Sequence, residues 1–421
     1  MTSPNHPLGG ETGPGGNGLW STIRQAATFE VLVACAIAFI NISVVSAAGP
    51  VLGQIQEDFL IPTALMGLIG STFGLARLLV DLPAGNLAGR MDARWLTGAG
   101  LMVMGVGSSL AVLAGSYAAL LVARVLMGAG QSVASIANLT WIVNAAAPAL
   151  RNTVMAMYQT GIVTALSFYP FLSGLLAEKQ GWRAAFVLCA ISAVIGIGLV
   201  LLGVRRGRPF RQVGGLDHSA GNGLRALAKL PRIQRLGLLG VYGSIFLLMF
   251  NSVGFVGTAV PLFGHEVLAL RPSAIGTGLA VASMIGLAVT IPGGAWADRF
   301  GPMRVLLPGF AAIVVGSLGF LLVRDAVGFV LAAAVVGLYS AGSSVPSAVL
   351  GAVVPSHLRG PAVGLYRLAG DIGVLIGPVL LTWAIDVAGY RSAILVSAAV
   401  AAVVTLSAWR LIGPCAVASR C

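Results

Sequence analysis

Twelve long apolar stretches, separated by short polar turns, constrain the fold of this chain more than any other feature of its sequence. Each approaches or exceeds the roughly twenty residues with which an α-helix crosses about 30 Å of hydrocarbon. The stretches are 29–49, 62–84, 96–114, 117–143, 153–176, 184–204, 236–262, 273–295, 303–322, 327–350, 361–385 and 391–411. Hydrocarbon offers the backbone no hydrogen-bonding partners, so each stretch must satisfy its own amides as a helix. The sequence therefore predicts an all-α membrane protein with twelve transmembrane helices.

The placement of charge predicts how these helices lie in the membrane. Charged residues make up only 9% of the 421 residues, against about 25% in soluble domains. Of the 25 Lys and Arg residues, 17 fall on the side of the N-terminus, 5 on the other side and 3 within helices. Cytoplasmic loops carry this excess in membrane proteins. We therefore expect both termini in the cytosol and a multi-pass protein in the cytoplasmic (inner) membrane. The net charge of +12 then sets topology and calls for no nucleic-acid partner.

The longest polar segment, residues 205–235, divides the predicted helices six and six. It carries eight basic residues and a single acid, Asp217. The predicted organisation is a disordered cytosolic tail over 1–26, an N-terminal six-helix bundle over 27–204, a basic cytosolic linker over 205–235, a C-terminal six-helix bundle over 236–411 and a cytosolic tail over 412–421.

The two halves share an internal repeat. The turn PAGNLAGRMDARW (83–95) recurs as PGGAWADRFGPMR (292–304) at an offset of 209, and residues 151–183 match 359–391 at an offset of 208. The second alignment pairs Arg151 with Arg359, Tyr158 with Tyr366, and Pro170 with Pro378. Apolar helices that align by chance would match Ala, Leu and Val instead. The repeat predicts two pseudo-symmetric six-helix bundles, an arrangement typical of one class of secondary transporter.

These repeated turns resemble the signature of the major facilitator superfamily, G-x-x-x-D-R-x-G-R-R, and the resemblance covers residues 29 to 411. The C-terminal copy keeps Gly294, Asp298, Arg299 and Gly301. The N-terminal copy keeps Gly85, Arg90 and Arg94, but has Gly89 where the family has Asp, and Asp92 where it has Gly. The resemblance implies that this loop controls conformation, and that the N-terminal copy has lost the acid that latches the halves.

Two further patterns refine the resemblance. Arg124-x-x-x-Gly128-x-Gly130 looks like the family's fourth-helix motif, which is linked to proton coupling. The fifth-helix pattern G-P-x-x-G-G of many antiporters is mostly absent, since the chain reads Tyr169-Pro170-Phe171-Leu172-Ser173-Gly174 there. The resemblance to the superfamily is therefore strong, and that to its drug-proton antiporters is weak.

Charged residues inside a bilayer are costly and indicate function by default. The second predicted helix carries Arg77 and Asp81, and the eleventh carries Arg367 and Asp371. Each pair is four residues apart, so we expect an ion pair within each helix. In the family these two helices meet between the halves. With Arg124, the four residues are the candidates for proton coupling, and static ion bridges are the alternative.

Polar residues in helices 1, 4, 7 and 10 are candidates for solute contact, because the resemblance places these helices around a central cavity. The candidates are Asn41, Gln131, Ser135, Asn138, Asn251, Ser343 and Ser347. In lipid their polar groups must face protein or water. Contacts between helices are the alternative, above all for the serines.

The sequence shows none of the motifs that would indicate an enzyme. It has no P-loop, no H-E-x-x-H pattern and no nucleophile elbow, and its four cysteines have no metal-binding spacing. We expect neither a cofactor nor a metal. The predicted function is secondary active transport of a small organic solute by a monomer, through alternating access coupled to protons. Efflux by proton antiport and nutrient uptake both stay open, as does a non-transporting membrane receptor.

Overall fold

The computed structural model describes residues 24–88, 90–147, 150–206, 225–355 and 358–418. In this part of the chain all regular structure is helical, and twelve helices are long and apolar enough to cross a membrane. We number them α1 (Phe29–Phe59), α2 (Thr63–Ala88), α3 (Ala93–Val112), α4 (Tyr117–Ala145), α5 (Arg151–Gln180), α6 (Arg183–Arg206), α7 (Arg232–Glu266), α8 (Pro272–Phe300), α9 (Met303–Leu322), α10 (Ala326–Val353), α11 (Arg359–Ala388) and α12 (Tyr390–Ala418). The predicted all-α membrane fold is confirmed.

Several helices extend beyond their predicted ends, above all α1, which was predicted to end at 49 and continues to Phe59. Helix α12 runs on to Ala418, so most of the predicted tail 412–421 is helical. Its Ile412 is fully buried against Gly240 of α7. Backbone hydrogen bonds continue a helix past the end of its apolar run when tertiary contacts remain to be made. Residues 1–23, which hold most of the predicted N-terminal tail, and 207–224, which hold most of the predicted linker, lie outside the described residues.

Short polar side chains fix where several helices begin. The Ser116 hydroxyl accepts the N–H of Ala119 at the start of α4, and the Asp325 carboxylate accepts the N–H of Gly328 at the start of α10. Such caps satisfy amides that have no partner within the helix. Capping side chains in the turns between the apolar runs therefore fix where these helices begin.

The backbone repeats itself at the offsets found in the sequence. Leu60 and Ala269, which are 209 positions apart, both have a positive φ, of 50° and 49°. Gly181 and Gly389, which are 208 positions apart, both have a φ of 76° and end helices of 30 residues. Positive φ is uncommon outside glycine. Equal conformations at equivalent positions bear out the two pseudo-symmetric bundles.

The two halves meet along two seams, α2 against α11 and α5 against α8. Glycines let the backbones approach at both, as is usual between membrane helices. A Cβ on Gly74 would lie 2.8 Å from the Val374 side chain, and one on Gly276 would collide with the carbonyl oxygen of Pro170. We call the end of the bundle where α1 ends and α2 begins the Asp58 face. The opposite end, where α6 ends and α7 begins, is the linker face.

Candidate functional site

A cavity of about 680 Å³ lies between the two halves. Its walls come from α1, α2, α4, α5, α7, α8, α10 and α11. It extends from Leu52 and Leu279, towards the Asp58 face, to Ser347 and Tyr366, near the linker-face ends of α10 and α11. This volume is in the range of pockets that hold small organic molecules.

Polar contacts join the two halves at the Asp58 face. The His265 ring lies 2.9 Å from the Glu57 carboxylate, and the Thr63 hydroxyl donates to Glu266 at 3.2 Å. Arg271 donates to Glu178, also at 3.2 Å. The halves are therefore linked at this face, while the cavity between them reaches towards the linker face.

The two halves give the cavity different surfaces. The first half contributes mainly apolar side chains, including Val45, Leu52, Ile69, Val163 and Leu166. The second half contributes apolar side chains too, among them Leu248, Val256 and Leu287, and the first half adds the hydroxyls of Ser46 and Thr160. Most of the hydroxyl groups nevertheless come from the second half, namely those of Ser252, Thr258, Ser283, Thr290, Tyr339, Ser340, Ser343, Ser344, Ser347 and Tyr366. No carboxylate is among the lining residues that the structure describes. The cavity is therefore amphipathic, with one wall rich in hydroxyls.

Arg124 brings a positive charge to this cavity. Its side chain is buried, with Nε donating to the Ile69 carbonyl at 3.1 Å and Nη1 to the Val44 carbonyl at 2.8 Å. The guanidinium lies 4.8 Å from the centre of the Phe73 ring. No carboxylate of the described chain comes within ion-pair distance of it. Carbonyl dipoles hold the group in place and leave its full charge uncompensated.

The candidates for solute contact in helices 1 and 4 instead join α1 to α4. Asn41 donates to the Ser135 hydroxyl at 2.7 Å and to the Gln131 carbonyl at 3.3 Å, while Asn138 donates to the Ala34 carbonyl at 2.9 Å. None of the four predicted residues lines the cavity. In this structure α4 turns this face towards α1.

The remaining candidates for solute contact differ in whether they line the cavity. Ser343 and Ser347 line the cavity, and each hydroxyl donates to a carbonyl of its own helix at 2.8 Å. Asn251 is fully buried beside the cavity and does not line it. It lies in a segment of α7, Phe250–Ala259, that is wound as a π-helix.

The four seam charges pair between helices, whereas the spacing predicted pairs within each helix. Arg77 of α2 lies 3.1 Å from Asp371 of α11. Arg367 of α11 donates to Asp81 of α2 through Nε at 3.0 Å and Nη2 at 2.7 Å. The two helices run in opposite directions, so the arginine of each lies level with the aspartate of the other. Both ion pairs therefore tie the first half to the second.

Ser132 of α4 also donates to the Asp81 carboxylate, a contact that sequence reasoning missed. Ser132 is buried and lies off the helix face that carries Gln131, Ser135 and Asn138, so the sequence pattern gave no signal for it. The other seam has no such charges. The repeat offsets place Gln159, Val163, Gly286 and Thr290 at the equivalent positions. Among the side chains that the structure describes, the acids deep in the membrane-spanning region that join the two halves therefore lie at the α2–α11 seam.

The N-terminal signature turn is held by contacts within the loop itself. Asp92 accepts the backbone N–H of Arg94 at 2.9 Å and so caps α3. Its other oxygen accepts the Arg94 side chain at 2.7 Å. Arg90 is exposed, and a Cβ on Gly85 would meet nothing within 4 Å. The acid at position 92 therefore stabilises the loop locally.

The C-terminal signature turn ends α8 at Gly301, whose φ of 97° is a conformation that favours glycine. Arg299 is exposed and stacks 5.2 Å from the Phe300 ring. A Cβ on Gly294 would meet nothing within 4 Å. The side chain of Asp298 lies outside the described part of the chain.

Replacing Asp92 with alanine is expected to lower the free energy of unfolding by about 1 kcal/mol, because α3 loses its cap. Asparagine at this position keeps a capping oxygen and loses the ion pair with Arg94, so most of the stability should remain. Thermal unfolding of the purified variants measures both changes. Equal losses in the two variants would show that the ion pair, and not the cap, stabilises the turn.

Comparison with known families gives a match over most of the chain. The pattern of the Major Facilitator Superfamily matches residues 34–348 and 244–416. The chain is 24% identical to the hexuronate transporter of Bacillus subtilis (strain 168) over 177 residues, which cover 42% of this chain and 41% of that protein. The aligned region thus spans about two fifths of that relative's length.

Two solved structures share the fold almost from end to end. A bacterial homologue of the human lysosomal transporter Spinster, in an inward-facing and occupied conformation, gives a TM-score of 0.73 at 16% identity and covers 90% of this chain and 96% of its own. A variant of the nucleoside transporter NupG gives a TM-score of 0.72 at 14% identity, covering 91% and 99%. At these identities the likeness establishes a shared architecture.

Proposed function

The chain belongs to the Major Facilitator Superfamily, and from this premise we propose that it is a secondary active transporter of a small organic solute. The observation that carries the proposal is the cavity between the halves, which are linked at the Asp58 face while the cavity extends towards the linker face. Rocking of the two halves about this cavity would expose the cavity first to one side of the membrane and then to the other. A membrane receptor without transport would need no such passage, and an enzyme would need reactive groups grouped at the cavity.

The cavity walls favour an amphipathic solute that is neutral or carries a negative charge. An apolar body would lie against Leu52, Ile69 and Leu166, while the polar groups would meet the hydroxyls of the second half. Arg124 offers its uncompensated charge to an anionic group. A cationic solute is disfavoured, because a buried cation needs a counter-charge and the described lining carries no carboxylate.

Coupling to protons is the second part of the proposal. Asp81 and Asp371 each lie opposite an arginine of the other half. When the two halves separate along this seam, each carboxylate loses the arginine that balances its charge. Burial disfavours an unpaired carboxylate, so each aspartate then binds a proton. Protonation and movement are linked in this way, whereas static bridges would hold the seam in both states.

We propose that the linker face lies in the cytosol, which the positive-inside pattern supports, and that the protein works as a monomer in the cytoplasmic (inner) membrane. The basic residues of the linker would lie along anionic lipid. On this reading, neither a cofactor nor a nucleic acid takes part.

Proteoliposomes with a pH-sensitive dye inside test the proposal directly. A hexuronate (glucuronate) and a nucleoside (uridine) serve as probes, one anionic and one neutral. We expect at least one of them to drive a proton flux, and Asp371→Asn to abolish that flux while exchange of labelled probe persists. Unchanged proton flux in Asp371→Asn would remove this residue from the coupling, and the sign of the flux distinguishes uptake with protons from exchange against them.

Replacing Arg124 with glutamine should discriminate between the probes. If the charge binds an anionic group, transport of glucuronate should fall by about tenfold or more, and transport of uridine should change little. Glutamine can still donate to one of the carbonyls that Arg124 bridges. An equal loss for both probes would assign Arg124 to holding α1 and α2, and not to the solute.

A further inference from the structure

The side-chain amide of Asn251 is buried, and no hydrogen bond in this conformation offsets the cost of burying it. Its side chain is fully buried, and neither Nδ2 nor Oδ1 has a hydrogen-bonding partner among the described residues. Burying an amide without hydrogen-bonding partners lowers the stability of the protein. Such a residue is typical of a functional site, where another conformation of the protein supplies its hydrogen bonds.

The helix around Asn251 is wound so that it can change register. Residues Phe250–Ala259 form a π-helix, and the Thr258 hydroxyl donates to the Val253 carbonyl five residues back, at 2.8 Å. Each π turn holds an extra residue compared with an α turn. Moving that extra residue along the helix shifts the intervening side chains by one position, a rotation of about 100°.

The cavity lies one position away from Asn251. Its neighbours Ser252 and Val253 both line the cavity wall. A shift of one residue would bring the Asn251 amide to the place where the Ser252 hydroxyl now lies. There the amide could both donate and accept hydrogen bonds, which its buried position denies it.

The opposite side of the segment packs on α11 through glycines. Gly254 approaches Gly377, and a Cβ on Gly373 would lie 2.5 Å from the Phe246 carbonyl oxygen and 3.0 Å from the Phe250 nitrogen. Apart from the Met249 Cβ, 3.2 Å from the added Cβ at Gly373, the nearest atoms at Gly254 and Gly373 belong to the backbone, so few side chains oppose sliding of the two helices. Asp371, the buried seam acid, lies on α11 just two residues from Gly373.

We infer that α7 has a second register in which Asn251 enters the cavity and binds a polar group of the solute. The shift moves the surface on which α11 rests, so occupation of the cavity is transmitted to Asp371. The binding role rests on the proposed transport function, whereas the two registers are a property of α7 alone and can be tested without any solute.

Hydrogen–deuterium exchange of the purified chain tests the register shift. Peptides that cover 250–259 should exchange about tenfold faster than those that cover 238–249, because the shift breaks the π-helical bonds. Asn251→Leu removes the group that favours the second register and should slow exchange in 250–259 by a similar factor. Ser244→Ala, at a buried position of the same helix, is the control and should leave that exchange unchanged. Equal protection of the two segments, or the same exchange in Asn251→Leu as in the native chain, overturns the inference.

Cysteine labelling gives an independent reading should a variant fold poorly. In a chain with Cys35, Cys189, Cys415 and Cys421 replaced by serine, single substitutions Asn251→Cys, Ser252→Cys and Ser244→Cys are treated with a small polar maleimide. Position 251 should react at a rate closer to that of 252 than to that of 244. Reaction as slow as at 244 overturns the second register, and it does so whether or not the protein transports either probe.

Discussion

Replacing Arg77 with methionine is expected to lower the free energy of unfolding by about 3 kcal/mol, because it leaves a buried carboxylate without its counter-charge. The Asp371 side chain is 5% exposed, and Arg77 of the opposite half lies 3.1 Å away. Methionine preserves much of the apolar stem of the arginine. Unfolding can be followed in detergent by the reaction of the buried Cys189 thiol with a maleimide dye.

A pair of double-mutant cycles identifies the true partner of Arg77. Between Arg77→Met and Asp371→Asn the coupling should be about 1–3 kcal/mol, whereas between Arg77→Met and Asp81→Asn it should be much smaller. Asp81 lies in the same helix as Arg77 and pairs with Arg367 instead. A larger coupling to Asp81 would restore the pairing within α2 that the sequence suggested and contradict the arrangement across the seam.

Alanine at Gly276 is expected to open the Asp58 face. A Cβ at this position collides with the Pro170 carbonyl oxygen of α5, and one at Gly174 collides with the Pro272 carbonyl oxygen of α8. Overpacking of this kind costs about 1–3 kcal/mol, and only separation of the two helices relieves it. The population of molecules with this face closed should therefore fall about tenfold, since 1.4 kcal/mol corresponds to that ratio.

Distances between spin labels measure this shift. Cysteines placed at Gly115 and Arg324, exposed positions near the Asp58 face in the first and second halves, should move apart in Gly276→Ala. The matched control is Gly198→Ala in α6, where a Cβ would meet nothing within 4 Å. An unchanged distance distribution in Gly276→Ala would mean that the seam absorbs a methyl group without separating.

The family resemblance indicated the α2–α11 seam but not which charges pair across it, and the α5–α8 seam was not predicted. Helix spacing correctly placed Arg77 and Asp81 on one face, but the choice of partner depended on α11, nearly 300 positions away. The partner of a charged residue depends on how the faces of two helices pack together. The sequence of one helix does not show which neighbouring helix each of its faces will contact.

The residues of the cavity were likewise only partly predictable from the sequence. The polar residues of α1 and α4 were visible in the sequence, yet Asn41 and Asn138 join these two helices to each other. The partners of Arg124 are the carbonyls of Val44 and Ile69. Every residue has a carbonyl, so such partners leave no trace in a sequence. The orphaned amide of Asn251 was equally invisible, because a π-helix has no pattern that distinguishes it from an α-helix.

The twelve spanning helices, the two repeated halves and the positions of the deep charges could all be predicted from the sequence. These follow from the length of apolar runs and from local hydrogen bonding, which each segment satisfies alone. Only the tertiary structure decided which face each helix presents, which arginine meets which aspartate, and which polar groups line the cavity. Those outcomes depend on contacts between segments that are distant in the chain, where small differences in packing choose between faces of similar composition.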